Sequence, residues 1–188
     1  MSGPQLFVGV DPGKSGALVA LDAGGAWVSS MPMPVAGTGS SARVQAWAVC
    51  DWLRSLAPEN KTAWALSNVT AVIEKVHSMP AQGMVSTFSF GHATGAVYGA
   101  LSAAGVRILE VSPRDWQVYG LRGKPKGTRV QLKATVVQVC YERWPESREA
   151  LTQRGGKIRR ESGTADAALI ALWGLGQHQK VVHSTETT

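Results

Sequence analysis

Cysteine, histidine and charge are all scarce in this sequence of 188 residues, which holds two cysteines, four histidines and 17% charged residues. The thiols, Cys50 and Cys140, stand far apart, with no CxxC pair and no Cys/His cluster. That spacing argues against a structural zinc site, a redox motif or a disulfide framework, and both thiols read as core filler. No apolar run reaches the roughly 20 residues that a membrane span needs. The opening MSGPQLFVGV has neither a basic n-region nor a cleavage site. The expectation is a soluble, cytoplasmic protein in a reducing compartment, with no membrane partner. Internal repeats and low-complexity segments are lacking too.

What remains is ordinary globular material, 44% apolar. A chain of this size buries roughly 70% of the surface its unfolded form exposes, enough for one core without staples. We read residues 1–176 as a single domain and 177–188 as a polar, frayed tail.

The net charge of +6 is unevenly placed. Residues 1–106 are neutral, residues 107–160 carry thirteen Lys and Arg against five Asp and Glu, and residues 161–188 carry one against three. A local excess of eight positive charges is what a polyanion-binding face looks like in sequence, and nucleic acid is the first candidate. A solvated basic surface without a partner is the plainer reading.

Local patterning gives the elements. Leu6–Asp11 and Ala17–Asp22 are apolar runs separated by Pro12 and Gly13, and with Ala26–Met31 they read as three successive strands. The serines of MPMPVAGTGSS are expected to cap a helix over Ala42–Leu56, in which Val44, Trp47, Ala48 and Leu53 face the core. Thr70–Val76 reads as a buried strand. Residues 86–104 form a helix with Gly91, Ala93, Gly95, Ala96, Gly99 and Ala100 at spacings of three and four, able to approach a neighbour closely. Arg107–Val111 is a further strand, after which Ser112 caps a short helix with Pro113 at its first position. LRGKPKGTR is a basic loop, Thr128–Arg143 a helix, RGGKIRR a second basic loop, and Thr164–Leu175 a nearly all-apolar helix. Three strands followed by alternating helix and strand make a mixed α/β sheet, with ligands expected at the carboxyl ends of the parallel strands.

Three acids stand in apolar settings: Asp11 at a strand end, Glu74 near another, and Asp166 in the last helix. Each is costly there without a compensating charge. Parallel neighbouring strands would release Asp11 and Glu74 at one edge, and a helix across it could add Asp166. Converging oxygen donors of this kind suit Mg²⁺ or Mn²⁺, which in pairs activate a water and stabilise the leaving 3′ oxygen of a phosphodiester. Each acid also has an ordinary reading. Asp11 in D-P-G can be a turn residue, Glu74 beside Lys75 an exposed strand end, and Asp166 a helix N-terminal acid.

The motifs GVDPGKSGALVALD (9–22), VIEKVHSMPAQG (72–83), EVSPRDWQ (110–117) and GTADAALIALWG (163–174) together resemble Holliday junction resolvases of the RuvC type, most nearly their phage and chloroplast branch. The resemblance spans residues 6 to about 175. It implies an RNase H-like fold: a mixed sheet of three antiparallel strands continued by two parallel ones, flanked by helices. The implied activity is that of a crossover junction endodeoxyribonuclease, a homodimer that nicks opposing strands of a four-way DNA junction with Mg²⁺, or Mn²⁺ as substitute. Asp11, Glu74 and Asp166 are then the catalytic metal ligands. The family usually adds an Asp or His three or four residues before the last acid, where this chain has Gly163 and Ser162, so Ser162 or Glu161 is the remaining candidate. The helix at 86–104 could form the dimer contact or simply pack on the sheet.

By the same resemblance, the segment after Glu74 falls where resolvases enter the junction centre, so DNA contacts are expected from Lys75, His77, Met79, Gln82 and Phe88. Lys124, Lys126, Arg129, Lys133, Lys157, Arg159 and Arg160 are the phosphate-contact candidates. Phe88 could equally begin its helix's buried face. Two other functions compete: a catalytically weakened branched-nucleic-acid-binding protein of the same fold, and an actin-like ATPase, which needs two such lobes where 188 residues supply one.

Overall fold

The computed structural model describes residues 5–56, 63–75, 83–124, 127–151 and 163–185. β1 (Leu6–Asp11) and β2 (Ala17–Asp22) are apolar at every position before their closing aspartates, and both are buried up to those aspartates. Strands of that kind must be covered on both faces. Alternate residues accordingly enter two cores. Phe7, Val19, Leu21 and Val72 join one, while Leu6, Val8, Val10, Leu18 and Ile73 join the other.

β3 (Trp27–Pro32) pairs antiparallel with β2. Two short strands, β4 (Val35–Ala36) and β5 (Arg43–Val44), form a separate ribbon. β6 (Val69–Glu74) runs parallel to β1, and β7 (Arg107–Val111) parallel to β6. The main sheet has the order β3-β2-β1-β6-β7. It is the expected mixed sheet, three antiparallel strands continued by two parallel ones.

The first core lies under α3 (Pro113–Gly120), α4 (Arg129–Arg143), the short α5 (Arg148–Leu151) and α6 (Gly163–Thr185). The second lies under α1 (Ala46–Ser55) and α2 (Met84–Ala103). α6 crosses β1 so closely that a β-carbon on Gly9 would run into the Ala167 carbonyl and the Ala171 amide. Only glycine permits that approach.

Several local features differ from expectation. α1 begins at Ala46, after Gln45, with no side-chain cap, and Ser41 before it is spent elsewhere: its hydroxyl donates to the Thr38 carbonyl in a 3₁₀ turn. Val44 is buried from β5 rather than from the helix, whose buried residues are Val49 and Leu53. Trp47 does not face the core but is 66% exposed. α6 runs on to Thr185, through polar residues expected to fray. Cys140 is buried and Cys50 half-buried, both free thiols packed within the fold. No described helix is long and apolar enough to cross a membrane.

Candidate active site

The register of β1 on β6 pairs Val10 with Ile73, so the next residues, Asp11 and Glu74, leave the ladder side by side at the carboxyl ends of parallel strands. Both are half-buried. Asp11 Oδ1 accepts the Gly13 amide at 3.3 Å, closing the turn into β2. The turn reading of D-P-G therefore holds, and it does not exhaust what Asp11 does. Burial first, and the charge of Glu74 second, push the Asp11 carboxyl up to about 6, while the Gly13 amide and Lys133 pull it back. Two carboxylates that oppose each other's ionisation in a half-buried corner are an arrangement that a cation relieves.

α6 brings its N-terminus to the same corner. A β-carbon on Gly163 would meet Asp11 Oδ2 at 2.8 Å and would collide with Gly16 Cα. Asp166 lies in the first turn of this helix, half-buried, and its charge reaches the Cys140 thiol of α4. Asp11 and Glu74 are thus brought together, and Asp166 is placed on the helix that abuts them. Among the described residues, no three His, Cys, Asp or Glu side chains form a group that could hold a metal ion. The donors at the corner are all carboxylate oxygens, which fit a hard divalent cation such as Mg²⁺ or Mn²⁺ and not zinc.

Glu74 has a further partner. β7 ends with Val111 opposite Glu74, Ser112 caps α3 by accepting the Asp115 amide, and one turn later the Trp116 indole Nε1 donates to Glu74 Oε1 at 2.8 Å. Sequence reasoning found the cap and missed the bond. The only signal was a tryptophan in the EVSPRDWQ motif.

The expected DNA-contact residues divide. Lys133, half-buried on α4, is the cation whose charge acts on Asp11. Lys75 is exposed, and its amide donates to Val111 O at 2.7 Å, extending the β6–β7 pairing. Arg129 is exposed at the start of α4, and Lys124 pairs with Glu142 at 3.3 Å on the outer surface. Phe88 is 73% exposed on α2, not part of that helix's buried face. His77, Met79, Gln82, Lys126, Lys157, Arg159, Arg160, Glu161 and Ser162 lie outside the described residues. Beside Asp11 a cleft of about 740 Å³ opens between the β1–β2 turn and the start of α2, lined by Gly13, Lys14, Ser15, Ser86 and Ser89 among others. Lys14 and Ser15 were not foreseen as site residues.

A mixed sheet in this strand order, with helices on both faces, defines an RNase H-like fold. Within that class the fold is RuvC-like. The chain is similar to Thermus thermophilus RuvC in complex with Holliday junction substrate, with a TM-score of 0.54 at 17% identity over 93% of this chain and 96% of that one. It is also similar to a further Thermus thermophilus RuvC structure, with a TM-score of 0.51 at 19% identity over 94% and 97%. At these identities the likeness is one of fold. No family model matches the chain, and no curated protein matches it.

Proposed function

We propose that this protein is a metal-dependent, structure-selective DNA endonuclease that resolves Holliday junctions by paired nicking. The observation that carries the reading is the carboxylate pair Asp11 and Glu74, set at the ends of the two central parallel strands of a RuvC-like fold. Asp11 and Glu74 would be the first ligands of Mg²⁺, with Mn²⁺ as substitute, and Asp166 together with Ser162 or Glu161 would have to close on the ion to complete the set. Bound there, the metal would supply an activated water and charge stabilisation for the leaving 3′ oxygen.

The chain's own residues prepare the corner for a phosphate. Lys133 offsets the negative charge on its α4 side, so a phosphodiester approaching two carboxylates meets a cation as well. Lys14 and Ser15 line the adjoining cleft, where a strand leaving the scissile phosphate would pass. Lys75, Arg129 and the remaining basic residues of 107–160 would contact phosphates further out and hold the junction without reading its sequence.

Paired nicks on opposing strands require two such sites, and α2 offers a surface for a second copy. Ala93, Val97, Ala100 and Leu101 pack inward, while Gly91, Gly95 and Gly99 stand exposed at four-residue intervals, with no other described residue within 4 Å of where their β-carbons would be. The small-residue helix therefore serves the sheet on one side and leaves its glycine side open, next to exposed Phe88.

The test is incubation with a fixed four-way junction and a matched linear duplex, in Mg²⁺, in Mn²⁺ and in EDTA, with products resolved on a denaturing gel. Paired, metal-dependent nicks confined to the junction are expected. Asp11→Asn, Glu74→Gln and Asp166→Asn are each expected to keep junction binding and lose cutting. Salt-sensitive binding without nicks in either metal would make it a branched-nucleic-acid-binding protein instead. Neither binding nor nicking would sink both readings.

A further inference from the structure

The indole of Trp116 holds a position that its packing alone does not explain. The side chain is buried in the α3–α6 core, 2% exposed, and its Nε1 donates to Glu74 Oε1 at 2.8 Å. A buried indole needs an acceptor, but any acceptor will serve. Trp144 donates to the Gly25 carbonyl at 2.8 Å, Trp52 to the Ser29 hydroxyl at 3.2 Å, and Trp47 to the Gln45 amide oxygen at 3.1 Å, all of them neutral. Trp116 donates to a carboxylate that shares its corner with Asp11.

We propose that Trp116 is a positioning residue for the metal site, fixing the carboxylate of Glu74 through Oε1 in the orientation in which it would bind a divalent cation beside Asp11. The inference rests on the reading of Asp11 and Glu74 as metal ligands and adds the residue that orients one of them. Indole suits this task because it is a donor only and carries no charge. An Arg or Lys in its place would also orient Glu74, but would neutralise it and compete with the metal. The bond to an ionised acceptor is of the stronger, charge-assisted kind. Its donor is held from three directions: by the Ser112 cap and Pro113 at the start of α3, by burial against α6, and by the pairing of Val111 with Glu74.

The test compares wild type, Trp116→Phe and Val19→Ala. Phenylalanine keeps most of the apolar volume and removes the donor. Val19, fully buried in the same core, reports what a packing loss alone does. Mn²⁺ binding to the protein without DNA is measured by calorimetry, and the half-saturating Mg²⁺ concentration by junction cleavage. Trp116→Phe is expected to weaken both by about 10- to 100-fold, with the cleavage rate recovering at saturating metal, whereas Val19→Ala lowers the melting temperature and leaves both constants in place. Equal metal constants for Trp116→Phe and wild type would overturn the proposal while leaving the nuclease reading intact. A wild type that binds no metal would end both. Should Trp116→Phe fail to fold, the wild-type protein still decides: the Trp116 indole N–H resonance, assigned on the labelled protein, should move on addition of Mg²⁺, and an unmoved signal in protein that binds the metal refutes the inference.

Discussion

Gly163 lies against Asp11: a β-carbon on it would stand 2.8 Å from Oδ2 and would strike the Gly16 α-carbon of the β1–β2 turn. The resemblance to resolvases puts an Asp or His three or four residues before the last acid, and at residue 163 this fold has no room for either. The absence of a side chain there follows from how tightly α6 seats on the turn. Gly163→Asp is therefore expected to cost about 1–3 kcal/mol as overpacking, read as a drop of several degrees in Tm, and to bring no gain in junction cleavage. Faster cleavage at unchanged Tm would show that the corner has space for a fourth ligand.

The Asp11 carboxyl makes the metal-free protein's stability depend on pH. Its value rises from 3.8 to about 6 in the folded state, so the folded form holds the proton more tightly than the unfolded chain does. The contribution is whole below 3.8 and is lost as pH climbs through 6. Each tenfold change in proton affinity is worth about 1.4 kcal/mol, so the loss at neutral pH is at most about 3 kcal/mol. Metal-free Asp11→Asn should accordingly melt above metal-free wild type at about pH 8, with the difference closing toward about pH 4. A gap that widened in acid would reverse the assignment of burial as the dominant cause.

Lys133 and Lys124 should behave differently on DNA. The charge of Lys133 acts on Asp11 at the acidic corner, and Lys124 pairs with Glu142 at 3.3 Å. Lys133→Ala is expected to weaken junction binding and reduce the slope of log affinity against log salt by about one. Lys124→Ala should change the slope by less, because Glu142 already offsets the charge of Lys124. Equal slopes for the two variants would remove Lys133 from the phosphate path.

The open glycine side of α2 makes a prediction about assembly. Gly95→Arg fills space that no described residue occupies, and it replaces a poor helix former by a good one, worth about 1 kcal/mol to an exposed helix. The fold should therefore hold or gain stability. A dimer formed across that side should nonetheless come apart, as read by sedimentation at micromolar protein, with paired nicking giving way to single nicks. A variant that sediments like wild type would move the contact to another surface.

Backbone punctuation was the legible part of the sequence. The ends of β1 and β2 are written by Asp11-Pro12-Gly13 and by Asp22 before Gly24, and the start of α3 by Ser112 and Pro113, because a turn or cap is decided by two or three neighbouring residues. The pairing of Asp11 with Glu74 was legible only once strands β1 and β6 were taken as parallel neighbours. Trp47 was misplaced because helical spacing tells which residues share a face but not whether another element covers it. The bond from Trp116 to Glu74 joins residues 42 positions apart, and no local pattern encodes it. α6 outran its expected end because a helix already anchored by an apolar first half can carry polar residues onward without burying them.

At Gly9 the strand touches the helix through main-chain atoms alone. The gap between β1 and α6 is therefore set by peptide geometry, which is common to every sequence, and not by the sizes of the side chains that fill the rest of the interior. Side chains elsewhere in the interior could change size while strand and helix, and with them Asp11 at the end of one and Asp166 in the first turn of the other, kept their close approach.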